Sequence, residues 1–155
     1  MLYKKFLLIL IYFIMFSFFT KAETKYEKVF FDFKINNINN EIVNLSNYKG
    51  KIVLLVNVAS NCGFTNQYND LQEVYDKYEG QGFTVIAIPS GDFMQEYEDN
   101  SEVKNFCRVD FSLTFPIAEI TKIIGNEAHP FYKWLEKNKR FLKIKEPLVT
   151  HWIQR

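Results

Sequence analysis

The sequence predicts an α/β fold built on a central mixed sheet flanked by helices. Three observations carry that reading. Ile52–Val56 is an unbroken apolar, β-branched run, the pattern of a strand buried on both faces. Phe83–Pro89 (FTVIAIP) is a second run of the same kind. Between them, Asn66–Tyr78 has helical spacing, with Tyr68, Leu71, Tyr75 and Tyr78 on one stripe. Strand, helix, strand over so short a span is a βαβ unit, with parallel strands and a right-handed crossover. Cys62-Gly63 lies between the first strand and the helix. Open α/β sheets place their chemistry at the carboxyl ends of such strands. A helix N-terminus also favours a thiolate over a thiol, through its partial positive charge and uncommitted N–H groups.

The elements before this unit begin with a segment expected to be removed. Lys4 and Lys5 precede Phe6–Phe19, a run of large apolar residues interrupted only by Ser17, and Thr20-Lys21-Ala22 follows. A charged start, an apolar core and a small-residue exit describe a secretory signal peptide, residues 1–22. The apolar run is shorter than the roughly 20 residues a spanning helix needs, so cleavage is favoured over an uncleaved membrane anchor. The remaining domain, 23–155, would carry a net charge of −2 instead of +1. No basic patch is left to indicate nucleic acid. Export points to a bacterial envelope, most simply the periplasm, where a disulfide can persist. Cys62 and Cys107 both survive processing, and the simplest reading of two cysteines in an exported chain is a structural disulfide.

Val29–Ile35 alternates as a strand and Glu41–Leu45 as a second, joined through the polar cluster Asn36–Asn40 as a hairpin. A turn over Asn47–Gly50 leads into the central strand. Thr65 or Asn66 is the expected cap of the next helix, and Gly80 and Gly82 end it. Ser90–Asn100 reads as an irregular acidic loop containing Gln95. Ser101–Val109 reads as a short helix capped by Ser101 and carrying Cys107. Leu113–Ile117 contains Pro116 and is expected to be irregular or at a sheet edge. Gly125-Asn126 marks a turn in the connection 120–127. His129–Asn138 is an amphipathic helix, with Pro130 in its first turn and Phe131, Trp134 and Leu135 on its apolar face. Beyond Lys139 the periodicity stops, and no internal repeat is present.

Several stretches together resemble one family. VNVASNCGFT at 56–65, IAIPSGDF at 86–93, Gln95-Glu96, NSEVKNFC at 100–107, LTFPI at 113–117 and NEAHPFYKWL at 126–135 are similar, in order and spacing, to the glutathione peroxidases. The likeness covers about 26–138, and the tail 139–155 diverges. It implies a thioredoxin-like fold. It further implies that Cys62 is the peroxidatic residue, in the cysteine form of a family that often uses selenocysteine. Gln95 matches the glutamine that donates to the sulfur. Cys107 matches the resolving cysteine of members reduced by thioredoxin. Ser90 stands where some members have another cysteine. The family's Trp-Asn-Phe motif, which follows the helix matched by 129–138, has no counterpart: Trp152 is followed by Ile153-Gln154. The last two strands and final helix of the family have no counterpart either.

The resemblance implies a hydroperoxide as substrate, a sulfenic acid at Cys62, condensation with Cys107, and reduction by a thioredoxin-like protein or glutathione, in defence against oxidative stress. Cys62 and Cys107 lie on separate elements, so closing their disulfide requires the 101–109 helix to shift or unwind. No cofactor or metal is implied, since two histidines and two cysteines so dispersed do not make a zinc site. His129 is expected to pack or cap before Pro130. Two other readings stay open. One is an envelope thiol–disulfide oxidoreductase, which the absence of Cys-x-x-Cys opposes. The other is an inactive or redox-sensing relative, which the missing Trp-Asn-Phe motif favours.

Overall fold

The computed structural model describes residues 28–138. The expected signal segment 1–22, residues 23–27 and the tail 139–155, with His151 and Trp152, lie outside the described residues. No helix among the described residues is long and apolar enough to cross a membrane.

A hairpin opens the described chain: β1 (Lys34–Asn36) pairs antiparallel with β2 (Ile42–Asn44), Ile35 opposite Val43. The first strand is shorter than its alternation suggested. Phe30–Asp32 forms a 3-10 turn, because the Asp32 carboxylate turns back and accepts from the Val29 N–H at 2.7 Å. Polar side chains build the hairpin turn. Asn37 Oδ1 accepts from the Asn39 and Glu41 N–H groups at 2.9 and 3.0 Å, and Asn40 takes a left-handed φ of 64°.

The central pair is β3 (Ile52–Val58) and β4 (Phe83–Pro89), parallel, with Ile52 opposite Phe83 and Val58 opposite Pro89. The helix between them is α1 (Gln67–Tyr78), so the βαβ unit is as expected. β3 runs two residues past its apolar stretch. Asn57 stays in the ladder because its side-chain carbonyl accepts from the buried Tyr132 hydroxyl. The cap of α1 differs from expectation. Asn66 occupies the N-cap position without a side-chain hydrogen bond, and the Thr65 hydroxyl donates instead to the Cys62 carbonyl. A 3-10 turn, Glu79–Gln81, prolongs α1, and Gly82 leaves it at a φ of 83° that favours glycine.

Period-two alternation splits the core into two layers around this pair. Val53, Leu55, Ile86 and Ile88 face one side, against Phe33, Leu45, Phe131, Tyr132 and Leu135. Val56, Val58, Val85 and Ala87 face the other, against Tyr68, Val103, Cys107, Leu113 and Phe115. The first side is covered by α3 (Pro130–Asn138) and the second by α1 and α2 (Asn100–Asn105). In α3, Phe131 and Leu135 are buried as the stripe predicted, with Tyr132 alongside, and Trp134 packs at the margin of the layer.

The 101–109 segment departs from a simple helix in two ways. Its cap is Asp99, which accepts from the Ser101 N–H at 2.6 Å, and not Ser101 itself. Past Asn105 it widens into a π turn, Phe106–Asp110, closed by Phe111 N–H to the Phe106 carbonyl at 3.3 Å. Next, 113–118 forms no regular strand. It touches β4 through one parallel bridge, Ile117 to Ala87, and Pro116, which has no N–H, accepts from Ala87 N–H at 3.0 Å. Among the described residues β3 pairs only with β4, and the outer edge of β4 is met by this segment.

Candidate active site

Cys62 sits in the turn that leaves the carboxyl end of β3. The strand ends because Ala59, Ser60 and Asn61 leave the ladder for the loop that carries residues 90–97. Ser90 N–H donates to the Val58 carbonyl at 3.1 Å, and Asn61 N–H donates to the Gln95 carbonyl at 2.8 Å. The turn folds on itself, with Thr65 N–H and hydroxyl both donating to the Cys62 carbonyl, the former at 3.1 Å. That fold directs the Phe64 N–H at the Cys62 sulfur, 3.5 Å away. Cys62 is half-buried and opens on a small pocket lined by Asn57, Phe64, Thr65, Tyr68 and Leu71. Phe64 lines the pocket and is exposed to solvent, as are Phe93 and Met94 on the 90–97 loop.

Gln95 is brought to the Cys62 loop through its main chain, at the Asn61 contact above. Met94 at a φ of 58° ends the 3-10 turn Gly91–Phe93 and redirects the chain to make that contact. The loop is held from outside by Asp92. Its carboxylate accepts from Ile123 and Ile124 N–H groups at 2.6 and 3.1 Å and pairs with Lys122 at 3.2 Å. Burial would raise the Asp92 carboxyl, but these donors outweigh it and hold it below its ordinary value.

Cys107 is a different kind of thiol. It is fully buried on the π turn, in the layer that contains Tyr68. Burial, followed by the Glu96 carboxylate, pushes it up to about 12 against the opposing pull of Arg108 and Tyr68. At neutral pH it is therefore protonated. No disulfide joins the two cysteines in this structure. Val56, Val58, Tyr68 and Leu71 line the Cys62 pocket and also pack in or against the Cys107 layer, and of these only Tyr68 carries a polar group. Burial first, then the charges of Cys107, Glu96 and Cys62, raise the Tyr68 phenol far above its ordinary value.

Two residues of this region were not singled out by sequence. Glu96 Oε1 accepts from Ser60 N–H at 3.1 Å and Tyr97 N–H at 2.9 Å, tying the acidic loop to the end of β3. Tyr68 looked like one more member of an apolar stripe. The available signal was its hydroxyl, carried into the most buried position of α1. His129 has the expected capping role: its Nδ1 accepts from Phe131 N–H at 3.2 Å, and burial lowers the imidazole, keeping it neutral.

An α/β sheet with a solvent-reachable thiol at the end of its central strand, facing a loop from the next strand, defines a thiol-based redox enzyme of thioredoxin-like fold. The comparisons narrow the class. The family model "Glutathione peroxidase" matches residues 30–136. A glutathione peroxidase of Lactococcus lactis is 39% identical over 112 residues, covering 72% of this chain and 71% of the relative. The glutathione peroxidase homolog BsaA of Halalkalibacterium halodurans is 46% identical over 105 residues, covering 67% of each. The solved structure of T. cruzi GPX1 superposes with a TM-score of 0.53 at 32% identity, over 77% of this chain and 75% of that one. The chain belongs to the glutathione peroxidase family.

Proposed function

We propose that the protein reduces hydroperoxides with Cys62 as the attacking thiolate and Cys107 as the resolving thiol. The observation that carries this reading is the contrast between the two cysteines: Cys62 reachable, with a donor at its sulfur, and Cys107 fully buried and protonated. The thiolate attacks the terminal peroxide oxygen, the O–O bond breaks, and the departing alkoxide takes a proton and leaves as an alcohol or water. Cys62 becomes a sulfenic acid. Cys107 sulfur then bonds to Cys62 sulfur, the S–O bond breaks, and water leaves. Gln95, set against the Cys62 loop, supplies an amide donor to the sulfur and the peroxide oxygen.

The disulfide is reduced by a thioredoxin-like dithiol or by glutathione. Cys107 favours the dithiol, because an intramolecular disulfide is the substrate such proteins reduce by exchange. Hydrogen peroxide and small organic hydroperoxides fit the open, shallow entrance. A relative in Synechocystis, 41% identical over 106 residues, is named a hydroperoxy fatty acid reductase, and the exposed Phe64 beside Cys62 suits an acyl chain as well. Export through the 1–22 segment would place the activity in the bacterial periplasm.

Steady-state peroxide consumption tests the reading. The wild type should turn over with a thioredoxin system, Cys62→Ser should lose activity altogether, and Cys107→Ser should lose the thioredoxin-supported part. Equal activity in Cys62→Ser and wild type would contradict the assignment.

A further inference from the structure

Among the described residues Met94 is the most exposed large apolar side chain, 94% open to solvent. It is also the only methionine outside the expected signal segment, which holds Met1 and Met15. Methionine ordinarily fills gaps in a core, and here it fills none. The backbone gives no reason for it either. Its φ of 58° lies in the left-handed region that favours glycine. Neither packing nor conformation accounts for a thioether at this position.

The place of Met94 in the fold brings it to hydroperoxide. β3 and β4 run parallel, so the Cys62 turn and the 90–97 loop leave the same end of the sheet. Two contacts join turn and loop just past Met94. The Gln95 carbonyl accepts from Asn61 N–H at 2.8 Å, and Glu96 accepts from Ser60 N–H at 3.1 Å. Met94 N–H donates to the Gly91 carbonyl at 3.0 Å, which ties down its main chain while the side chain stays outside. The thioether therefore meets the same solvent that delivers hydroperoxide to this end of the sheet.

We propose that Met94 is a reversible oxidation site, and with it a second route by which the protein consumes hydroperoxide. The thioether sulfur attacks the terminal peroxide oxygen, an S–O bond forms and the O–O bond breaks. The departing alkoxide takes the hydroperoxide proton and leaves as alcohol or water. Sulfur is oxidised to the sulfoxide and the peroxide is reduced. A methionine sulfoxide reductase restores the thioether: its dithiol supplies the electrons and protons, becomes a disulfide, and the oxygen leaves as water. A neutral thioether is a weaker nucleophile than a thiolate, so this route takes hydroperoxide left over when Cys62 is saturated. Exposure suits both halves of the cycle. The reductase reaches the sulfoxide without unfolding the chain, and a side chain with so little buried surface loses no packing when it becomes polar. The route does not depend on the cysteine roles assigned above.

The test treats the folded full-length chain with a large excess of hydrogen peroxide and locates added oxygen by peptide mass mapping, which separates Met94 from Met1 and Met15. Met94 should gain one oxygen at a rate within about tenfold of that in the urea-unfolded chain, and equally in Cys62→Ser. Once peroxide is removed, methionine sulfoxide reductases for both sulfoxide epimers, with dithiothreitol, should return the Met94 peptide of the folded protein to its original mass. Oxidation of Met94 slower than that limit in the folded chain would overturn the proposal. So would oxidation that disappears in folded Cys62→Ser, or a sulfoxide that the reductases leave in place. The rate comparison is made on the unsubstituted chain, so it decides the matter even where Cys62→Ser does not fold.

Discussion

Cys107 and Cys62 differ by what surrounds each sulfur, and the difference is measurable. Brief alkylation of the native protein at neutral pH should label Cys62 and leave Cys107 untouched, with both labelled after denaturation; peptide mass mapping checks this. Cys107 also affects stability at high pH. Its folded value, near 12, lies above its ordinary 9.0, so the folded state holds the proton more tightly. The stability from this group is fully present below pH 9 and is lost as pH rises through 12. Denaturation of wild type against Cys107→Ala should show a steeper alkaline decline in the wild type over that window. Asp92 works in the opposite direction. Its lowered value means that its contribution is present above pH 3.8 and disappears as pH falls through the folded value. Asp92→Ala orphans the Ile123 and Ile124 N–H groups and should cost about 1.5–3 kcal/mol in urea unfolding.

At the scale of elements, the π turn Phe106–Asp110 is the part that moves on the proposed two-cysteine reading. It encloses the thiol that this reading brings to Cys62, in a π turn of the kind found mostly at functional sites. Oxidation with one equivalent of peroxide should therefore remove hydrogen-exchange protection from 100–111 while β4 keeps its own. Sequence reading anticipated a helix here. It did not anticipate the change of pitch, which depends on tertiary contacts: Leu113 N–H bonds the Cys107 carbonyl at 2.9 Å, and Arg108 donates to the Leu113 carbonyl. The β3–α1–β4 unit was legible because buried parallel strands leave continuous apolar runs and amphipathic helices leave a stripe. Caps were less legible. Asp99 outcompetes Ser101, and Thr65 turns to the Cys62 carbonyl, because several small polar residues stand near each helix start and only the loop geometry chooses among them.

Across the whole molecule, two packing layers on opposite faces of β3 and β4 separate stability from chemistry. Phe131 lies in the layer away from Cys107, fully buried against Phe30 and Phe33. Phe131→Ala should cost about 3–5 kcal/mol, yet leave the reaction of Cys62 with peroxide near the wild-type rate wherever the protein stays folded. The placement of Cys62 after the central strand was readable from order along the chain. The tie between Ser60 and Glu96 was not, because residues 60 and 96 meet only after β3 and the 90–97 loop have packed. No local pattern marks a tyrosine as a buried hydroxyl or a loop glutamate as the partner of a strand-end amide.

The most direct test of the central claim is the intact mass of the full-length chain before and after one equivalent of hydrogen peroxide, with Cys62→Ser and Cys107→Ser alongside. The two-cysteine account predicts rapid loss of two hydrogens in the wild type, one added and trappable oxygen in Cys107→Ser, and no change in Cys62→Ser. A folded wild-type protein that keeps its mass, or a Cys62→Ser variant that reacts as the wild type does, would contradict it.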